Sequence, residues 1–368
     1  MSVNFFDINR QNKQLEREIS SALDSVVKSG RYILGDNVAI LEDEVSLFCG
    51  TKYAVGVASG TDALHLALLA CGIKEGDEVI TSPFTFVATA EAIAYCGAKP
   101  VFVDVDRNTF NLDASKIEPL INEKTKALLP VHLYGQACQM DKIMELAKKF
   151  NLKVVEDCAQ ALGAELGGRQ VGSFGDIGCT SFFPTKNIGC FGDGGMVTVH
   201  DPSLYEKIKI LRAHGSKKTY HYDIIGYNSR LDEIHASVLR VKLANIESFL
   251  KLRRRNASIY NKHLKGLPDV ILPAELPDSR HTYNQFVIRV KDRNALFEHM
   301  KAKSIGVMVY YPLSLHLQAA FASLGYKAGD FPVAESLQEE VLALPVFPEL
   351  YISEVEEVCS AIRSFFER

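Results

Sequence analysis

From about residue 50 to 215, short β-rich runs alternate with apolar runs of helical composition, and no other feature constrains the fold as tightly. Tyr53 to Ala58, Glu78 to Thr81, Pro100 to Asp104, Ala127 to Leu133, Lys153 to Glu156 and Gly195 to Val199 read as strands. Thr61 to Cys71, Phe86 to Cys96 and Asp141 to Phe150 read as helices between them. In the last of these, Ile143, Leu146, Ala147 and Phe150 recur at the spacing of one helical face. Strands separated by helices are joined by crossovers, which makes them parallel and buries them on both faces. The expected class is α/β, built on a mostly parallel sheet.

The flanks read differently. Leu15, Ile19, Ala22 and Val26 mark an amphipathic helix that stops near Gly30. A long helical stretch follows Arg230, through Ile234, Val238, Val241, Leu243, Ile246, Phe249 and Leu250. The run Arg253-Arg254-Arg255 then reads as a solvated helix face between helical segments. Beyond Gly266-Leu267-Pro268 the composition shifts, with four prolines between 268 and 312. Tyr283 to Val290 and Val307 to Tyr311 read as strands around a helix at Asn294 to Lys303. This predicts a large α/β domain over 1–245, N-terminal helical segment included, and a smaller α+β domain over 246–368.

Several function classes are disfavoured by composition. A net charge of -4 offers no basic surface for nucleic acid. Asp62 and His65 interrupt the apolar run from Ala54 to Ile73, so no segment reads as membrane-spanning. Met1 to Arg10 carries Asp7 and Arg10 and lacks an apolar signal core. The eight cysteines show no C-x-x-C spacing and read as small buried thiols of a cytoplasmic protein, with no metal cage.

Three short segments carry candidate chemistry. Ser59-Gly60-Thr61-Asp62 joins a strand to a helix, where unpaired backbone N–H groups can receive an anion. The same residues are also ordinary helix caps. Val154-Val155-Glu156-Asp157 is a β-branched run ending in acids, and ligands in α/β sheets sit at the carboxyl ends of strands. An aspartate there serves either as a helix cap or as the group that keeps a pyridine nitrogen protonated. Lys186 follows Ser181-Phe182-Phe183-Pro184-Thr185 and precedes the glycine-rich run Gly189 to Gly195. A lysine is usually a surface residue, but one among Phe182, Phe183, Ile188 and Phe191 can be desolvated, leaving the neutral amine that a Schiff base needs. Phe86, in Pro83-Phe84-Thr85-Phe86, reads either as core or as a stacking face for a ring. Gly192-Asp193-Gly194-Gly195 precedes a strand, the wrong order for a dinucleotide fingerprint.

Taken in order, these segments resemble the DegT/DnrJ/EryC1/StrS family of sugar aminotransferases. The resemblance runs through Gly30-Arg31-Tyr32-Ile33-Leu34-Gly35, Ser59 to Leu64, Glu156-Asp157-Cys158-Ala159-Gln160, Lys186-Asn187, Gly325-Tyr326-Lys327 and Leu344-Pro345. It implies the fold type I, aspartate aminotransferase-like architecture with a seven-stranded-type sheet. It also implies pyridoxal 5'-phosphate (PLP) as cofactor and a homodimer with shared active sites. On this resemblance Lys186 matches the lysine that carries the cofactor and shuttles the substrate proton, and Asp157 the partner of the pyridine nitrogen. Gln160 lies beside the ring, Gly60, Thr61 and Ser181 match phosphate ligands, and Phe86 matches the stacking position. Asn228 matches an asparagine that reaches the phosphate from the other subunit.

The implied reaction has two halves: an amino donor, typically glutamate, charges the cofactor, and a nucleotide-linked keto sugar receives the amino group. Family members that are sugar dehydratases carry histidine at the position of Lys186, which sets that branch aside. A non-catalytic regulatory protein on the same fold is the alternative outside enzymology, and intact Lys186 and Asp157 argue against it. Cys179 to Pro184, Gly189-Cys190 and His214 to Tyr222 are similar to the branch that aminates a UDP-linked 3-keto-2-acetamido-glucuronate. Asn228 to Glu233 and Gly329 to Pro332 are similar to the branch acting on dTDP-3-keto-6-deoxyhexoses. Both branches aminate at C3. In the first, Arg230 would pair with the sugar carboxylate. Tyr310-Tyr311-Pro312 stands where relatives often read His-Tyr-Pro, near the sugar.

Overall fold

The computed structural model describes residues 2–218 and 220–366. Seven strands form its central sheet: β1 (Tyr53–Val57), β2 (Glu78–Thr81), β3 (Lys99–Phe102), β4 (Thr125–Leu128), β5 (Lys153–Asp157), β6 (Ile177–Ser181) and β7 (Gly195–Val199). Their spatial order is β1-β7-β6-β5-β4-β2-β3, which puts β5 at the centre. Strands β2 to β6 pair in parallel, and β7 runs against both neighbours. This is the mostly parallel sheet expected of fold type I. β-Branched and aliphatic residues such as Ile80, Val154, Val155, Ile177, Val197 and Val199 are buried within it.

The helices differ according to how much of their circumference is covered. α1 (Glu16–Ser29) is amphipathic and ends at Gly30, whose φ of 64° is the left-handed cap a glycine adopts readily. α2 (Asp36–Cys49) follows, with the Glu233 carboxylate accepting from its first-turn amides of Asn37 and Val38. α3 (Gly60–Ala70) is apolar on nearly every side, and residues 63–68 are all buried between the sheet and α4 (Ala88–Tyr95). α5 (Met140–Phe150) lays Met140, Ile143 and Ala147 on the opposite face of the sheet. α6 (Pro202–Arg212) packs against β1 and β7, and α7 (Glu233–Leu243) packs against α1 and α2.

α8 (Ile246–Leu264) contributes Phe249 and Leu250 to the core beneath α1 and α2. Its second half contributes Ala257, Tyr260 and Leu264 to another core. That core lies under an antiparallel sheet ordered β8 (Val270–Ile271), β9 (Phe286–Val290) and β10 (Val341–Leu344). α9 (Arg293–Ala302) and α11 (Ile352–Phe366) cover it with Leu296, Met300, Val355, Val358 and Ile362. Between them, α10 (Pro332–Glu340) is held by Asp104, whose carboxylate accepts from the amides of Val333 and Ala334.

Three expectations require correction. The strand expected to run to Leu133 stops at Leu128. Pro130 lacks an N–H for the ladder, and the chain turns into a 3-10 turn at Leu133–Gly135. Val307 to Tyr311 is not a strand: only Met308 bridges to Ala343, and the carbonyl of Tyr310 is taken by the Tyr134 hydroxyl. The arginine run lies inside α8, and the helical phase that buries Phe249, Leu250 and Asn256 also buries Arg253. Arg253 is 2% exposed and donates to the carbonyls of Tyr283 and Asn284, so it is an internal strut and not part of a solvated face. All eight cysteines are free thiols, and seven are buried.

Candidate active site

The carboxyl ends of β5 and β6 and the start of α3 converge in front of Lys186. At the α3 entry, the Ser59 side chain accepts the amide of Asp62 at 3.0 Å, so this serine is a working cap. The amides of Gly60 and Thr61, one turn before any intrahelical acceptor, point out of the helix start. Close packing makes the glycine necessary: a Cβ on Gly60 would lie 2.6 Å from the Ser181 Cβ. Ser181 is half-buried at the end of β6. Asp62 also accepts from the Ser229 hydroxyl at 2.8 Å, tying the segment of Asn228 and Arg230 to the same helix start.

Asp157 closes β5 and is 5% exposed. Its Oδ1 accepts the amide of Ala159 at 3.1 Å, and its Oδ2 accepts the Thr89 hydroxyl at 2.8 Å. Burial pushes the carboxyl above its ordinary value, while these two donors, Lys186 and His132 pull it back. The adjacent Glu156 faces away, accepting from the amides of Gly172 and Gly175 and from His132 Nε2. His132 Nδ1 in turn accepts the amide of Cys138, which places the ring proton on Nε2. His132, Glu156 and Cys158 bring ligand-type atoms within 4.8 Å of one another, but this hydrogen bonding makes them a structural brace for the Asp157 strand end.

Lys186 is half-buried, and desolvation lowers its ammonium to about 8 against the opposing pull of Asp157. Its loop is closed from several sides. The amide of Cys190 donates to the Phe182 carbonyl at 2.9 Å, and Asn187 donates to the Leu162 carbonyl at 2.9 Å. The fully buried Lys242, on α7, donates to the Gly189 carbonyl at 2.6 Å.

Gln160 sits between these groups and the small sheet. Its Oε1 accepts the amide of Tyr134 at 2.8 Å, and its Nε2 donates to the Tyr311 hydroxyl at 3.0 Å. The Tyr310 and Tyr311 rings are half-buried, and Phe86, 55% exposed, lies 6.4 Å from Tyr311. Arg230 is half-buried with an Nε that is enclosed yet unpartnered among the described residues. Asn228 is exposed, apart from a backbone bridge to Ala213.

The singled-out residues Gly60, Thr61, Asp157, Gln160, Ser181, Lys186 and Arg230 therefore belong to one face of the fold, with Phe86, Tyr310 and Tyr311 beside them. Thr89, Tyr134, Ser229 and Lys242 were not singled out in the sequence. Thr85 and Thr89, two hydroxyls four residues apart where an apolar helix begins, are the readable signal for the first. Lys242 gave none, since a lysine near a helix end usually reaches solvent.

This donor set fits PLP. The group needs an acid for its ring nitrogen, an amine of lowered basicity, an anion-binding helix start and an apolar face for the ring. Asp157, Lys186, the α3 entry and exposed Phe86 could supply these in turn.

Comparison with known proteins agrees. The profile of the DegT/DnrJ/EryC1/StrS aminotransferase family matches residues 13–363. The chain is 46% identical over 368 residues to the "Pleiotropic regulatory protein" of Geobacillus stearothermophilus, covering 100% of this chain and 99% of that one. It is likewise 46% identical over 357 residues to the UDP-N-acetyl-3-dehydro-alpha-D-glucosamine 3-aminotransferase of Acidithiobacillus ferrooxidans, covering 97% and 96%. Among solved structures, S. venezuelae DesV in complex with a ketimine intermediate superimposes with a TM-score of 0.98 at 41% identity, covering 100% and 99%.

Proposed function

Because this chain belongs to the DegT/DnrJ/EryC1/StrS aminotransferase family and is a PLP-dependent sugar aminotransferase, we propose that its amino acceptor is a UDP-linked 3-keto-2-acetamido sugar, aminated at C3, with glutamate as donor. The observation that carries the acceptor class is the full-length similarity to the A. ferrooxidans enzyme named for such a sugar. The unpartnered Nε of Arg230 supports an acidic form of it, a glucuronate, because a guanidinium needs an anion there.

Bound PLP supplies an electron sink and a carrier for the amino group. In this reading Gly60, Thr61 and Ser181 would hold its phosphate, Phe86 would face its ring beside Gln160, and Asp157 would keep the ring nitrogen protonated. Lys186 carries the cofactor at rest, then takes the proton from the donor carbon and returns one to the sugar carbon. With an ammonium near 8 in place of 10.5, Lys186 holds about three-hundredfold more neutral amine at neutral pH than an ordinary lysine. Tyr310 and Tyr311 line the sugar side, Tyr311 being oriented by Gln160. The regulatory name of the G. stearothermophilus relative does not shift this reading, since the acid, the amine and the helix start are all intact here.

A second copy of the chain completes the site. Tyr32, Ile33, Phe183, Phe191, Ile224 and Ile225 are exposed apolar residues that a partner would cover, and the Ile33 segment lies beside Asp232. Exposed Asn228 would reach the partner's phosphate site. We read the chain as two units, 1–245 and 246–368, joined by α8, whose first half packs in the larger core and whose second half packs in the smaller one. No helix among the described residues is long and apolar enough to cross a membrane. Eight free thiols favour a cytoplasmic setting.

The test supplies ¹⁵N-glutamate with three acceptors: the UDP-linked 3-keto-2-acetamido-glucose, its glucuronate, and a dTDP-3-keto-6-deoxyhexose. The proposal expects ¹⁵N at C3 of a UDP sugar by mass spectrometry, with the glucuronate preferred and that preference lost in Arg230→Ala. Turnover of the dTDP sugar alone would sink it.

A further inference from the structure

The task assigned to Asp157 requires a carboxylate, yet the side chain is 5% exposed and burial works against that form. Something permanent must compensate. His132 is committed elsewhere, with Nδ1 on the Cys138 amide and Nε2 on Glu156. Glu156 is occupied by two glycine amides and that imidazole. Tyr311 meets Gln160, and the charge on Lys186 comes and goes as it carries protons. Two donors remain on the carboxylate itself: the amide of Ala159 on Oδ1 and the hydroxyl of Thr89 on Oδ2.

Thr89 had easier partners. A helical threonine can satisfy its hydroxyl on the carbonyl one turn back, and Thr85 stands 3.2 Å away. It instead gives its only proton to an acid 68 residues distant. Its oxygen is left to accept from Thr85, so two buried hydroxyls act in series, at 1% and 3% exposure, and polarise toward Asp157. The amide of Thr89 donates to the carbonyl of Phe86, so a single turn fixes both the exposed ring and this hydroxyl.

We propose that Thr89 is a positioning residue which, backed by Thr85, holds Asp157 as a carboxylate aimed at the cofactor's ring nitrogen. The inference rests on the role proposed for Asp157, and the test separates the two. Wild type, Thr89→Val and Thr89→Ser are reconstituted with PLP carrying ¹⁵N in the ring. The ring ¹⁵N resonance, the PLP dissociation constant by equilibrium dialysis and the thermal midpoint are then measured. Valine is isosteric and removes the hydroxyl, both the donor to Asp157 and the acceptor for Thr85. We expect the protonated-pyridine resonance in wild type and the serine variant. In Thr89→Val it should move toward neutral pyridine, with PLP held about tenfold less tightly. Should the valine variant fail to fold, Thr89→Ala carries the same expectation. A wild-type resonance in the valine or alanine variant would overturn the proposal for Thr89 alone, even if its thermal midpoint fell. An unprotonated ring in wild type would overturn the reading of Asp157, and this inference with it.

Discussion

Lys242 offers a sharp test because one buried amine can be removed and its pH dependence worked out in advance. It is fully buried, bonds the carbonyl of Gly189 at 2.6 Å and lies 5.3 Å from the centroid of the Phe191 ring. Burial lowers its ammonium from 10.5 to about 8, and Cys190 and Glu349 only partly oppose this. That drop corresponds to about 3 kcal/mol of differential interaction between the two protonation states. The sign follows from proton counting. Below pH 8 the lysine is charged in both folded and unfolded protein, and the burial cost is fully present. Between about 8 and 10.5 the unfolded chain binds the proton and the folded one does not, so this group makes stability rise with pH. Above that window the cost is gone.

Lys242→Met removes the titration and leaves the Gly189 carbonyl unpaired, at a cost of about 1–3 kcal/mol. Near pH 7.5 the lost hydrogen bond and the relieved charge burial nearly cancel, and the variant should match wild type. At pH 10.5 it should be less stable by about 1–3 kcal/mol. The thiols of Cys49, Cys71 and Cys96 at about 12 do not feel Lys242 and drop out of the difference, whereas the neighbouring Cys190 thiol, at about 11, loses a stabilising charge and only begins to titrate at the top of the range. The assay is urea unfolding of the two apoproteins by circular dichroism between pH 7.5 and 10.5. A stability difference that stays flat, or that moves in favour of methionine as pH rises, would refute the reasoning.

Gly60→Ala forces a Cβ to within 2.6 Å of the Ser181 side chain, so the α3 start must retreat. The expected result is PLP binding weakened by about tenfold or more in a spectrophotometric titration, with about 1–3 kcal/mol lost from stability. Wild-type affinity would mean that this helix start does not hold the phosphate. Asp157→Asn keeps the shape and removes the charge, and should slow the glutamate half-reaction by about a hundredfold or more in stopped-flow absorbance. Its apoprotein should be no less stable than wild type, since a buried carboxyl has been neutralised. Lys186 loses its proton near 8, so capture of PLP by apoprotein should accelerate with pH up to about 8 and then level off. A rate independent of pH between 6.5 and 9.5 would contradict the lowered basicity of that amine.

The parts of this molecule legible in the sequence are those governed by local period and by chain punctuation. β2 and β5 lie where the β-rich runs Glu78 to Thr81 and Lys153 to Glu156 occur, because buried parallel strands are short apolar runs. α1 ends at Gly30 because only a left-handed residue closes it there without strain. Asp157 could be singled out because it follows a strand-like run, and Lys186 because apolar residues flank it ahead of a glycine-rich run. The unread parts depend on contacts between distant segments. Arg253 looks solvated in a run of three arginines, and its burial emerges only when α8 meets the carbonyls of Tyr283 and Asn284. The Tyr310 segment is β-like in composition, yet Tyr134, far upstream, takes the carbonyl that a sheet would have used. Thr89 and Lys242 likewise acquire meaning from partners on other elements.

The central claim is tested most directly by the near-ultraviolet and visible absorption of the purified protein before and after glutamate, with Lys186→Ala alongside. The chain has no Trp, so a cofactor band stands clear of the protein absorption. The account predicts a yellow band in wild type that glutamate bleaches to the pyridoxamine form, and no such band in the variant. A colourless protein that takes up no added PLP and cannot be told from Lys186→Ala would contradict it.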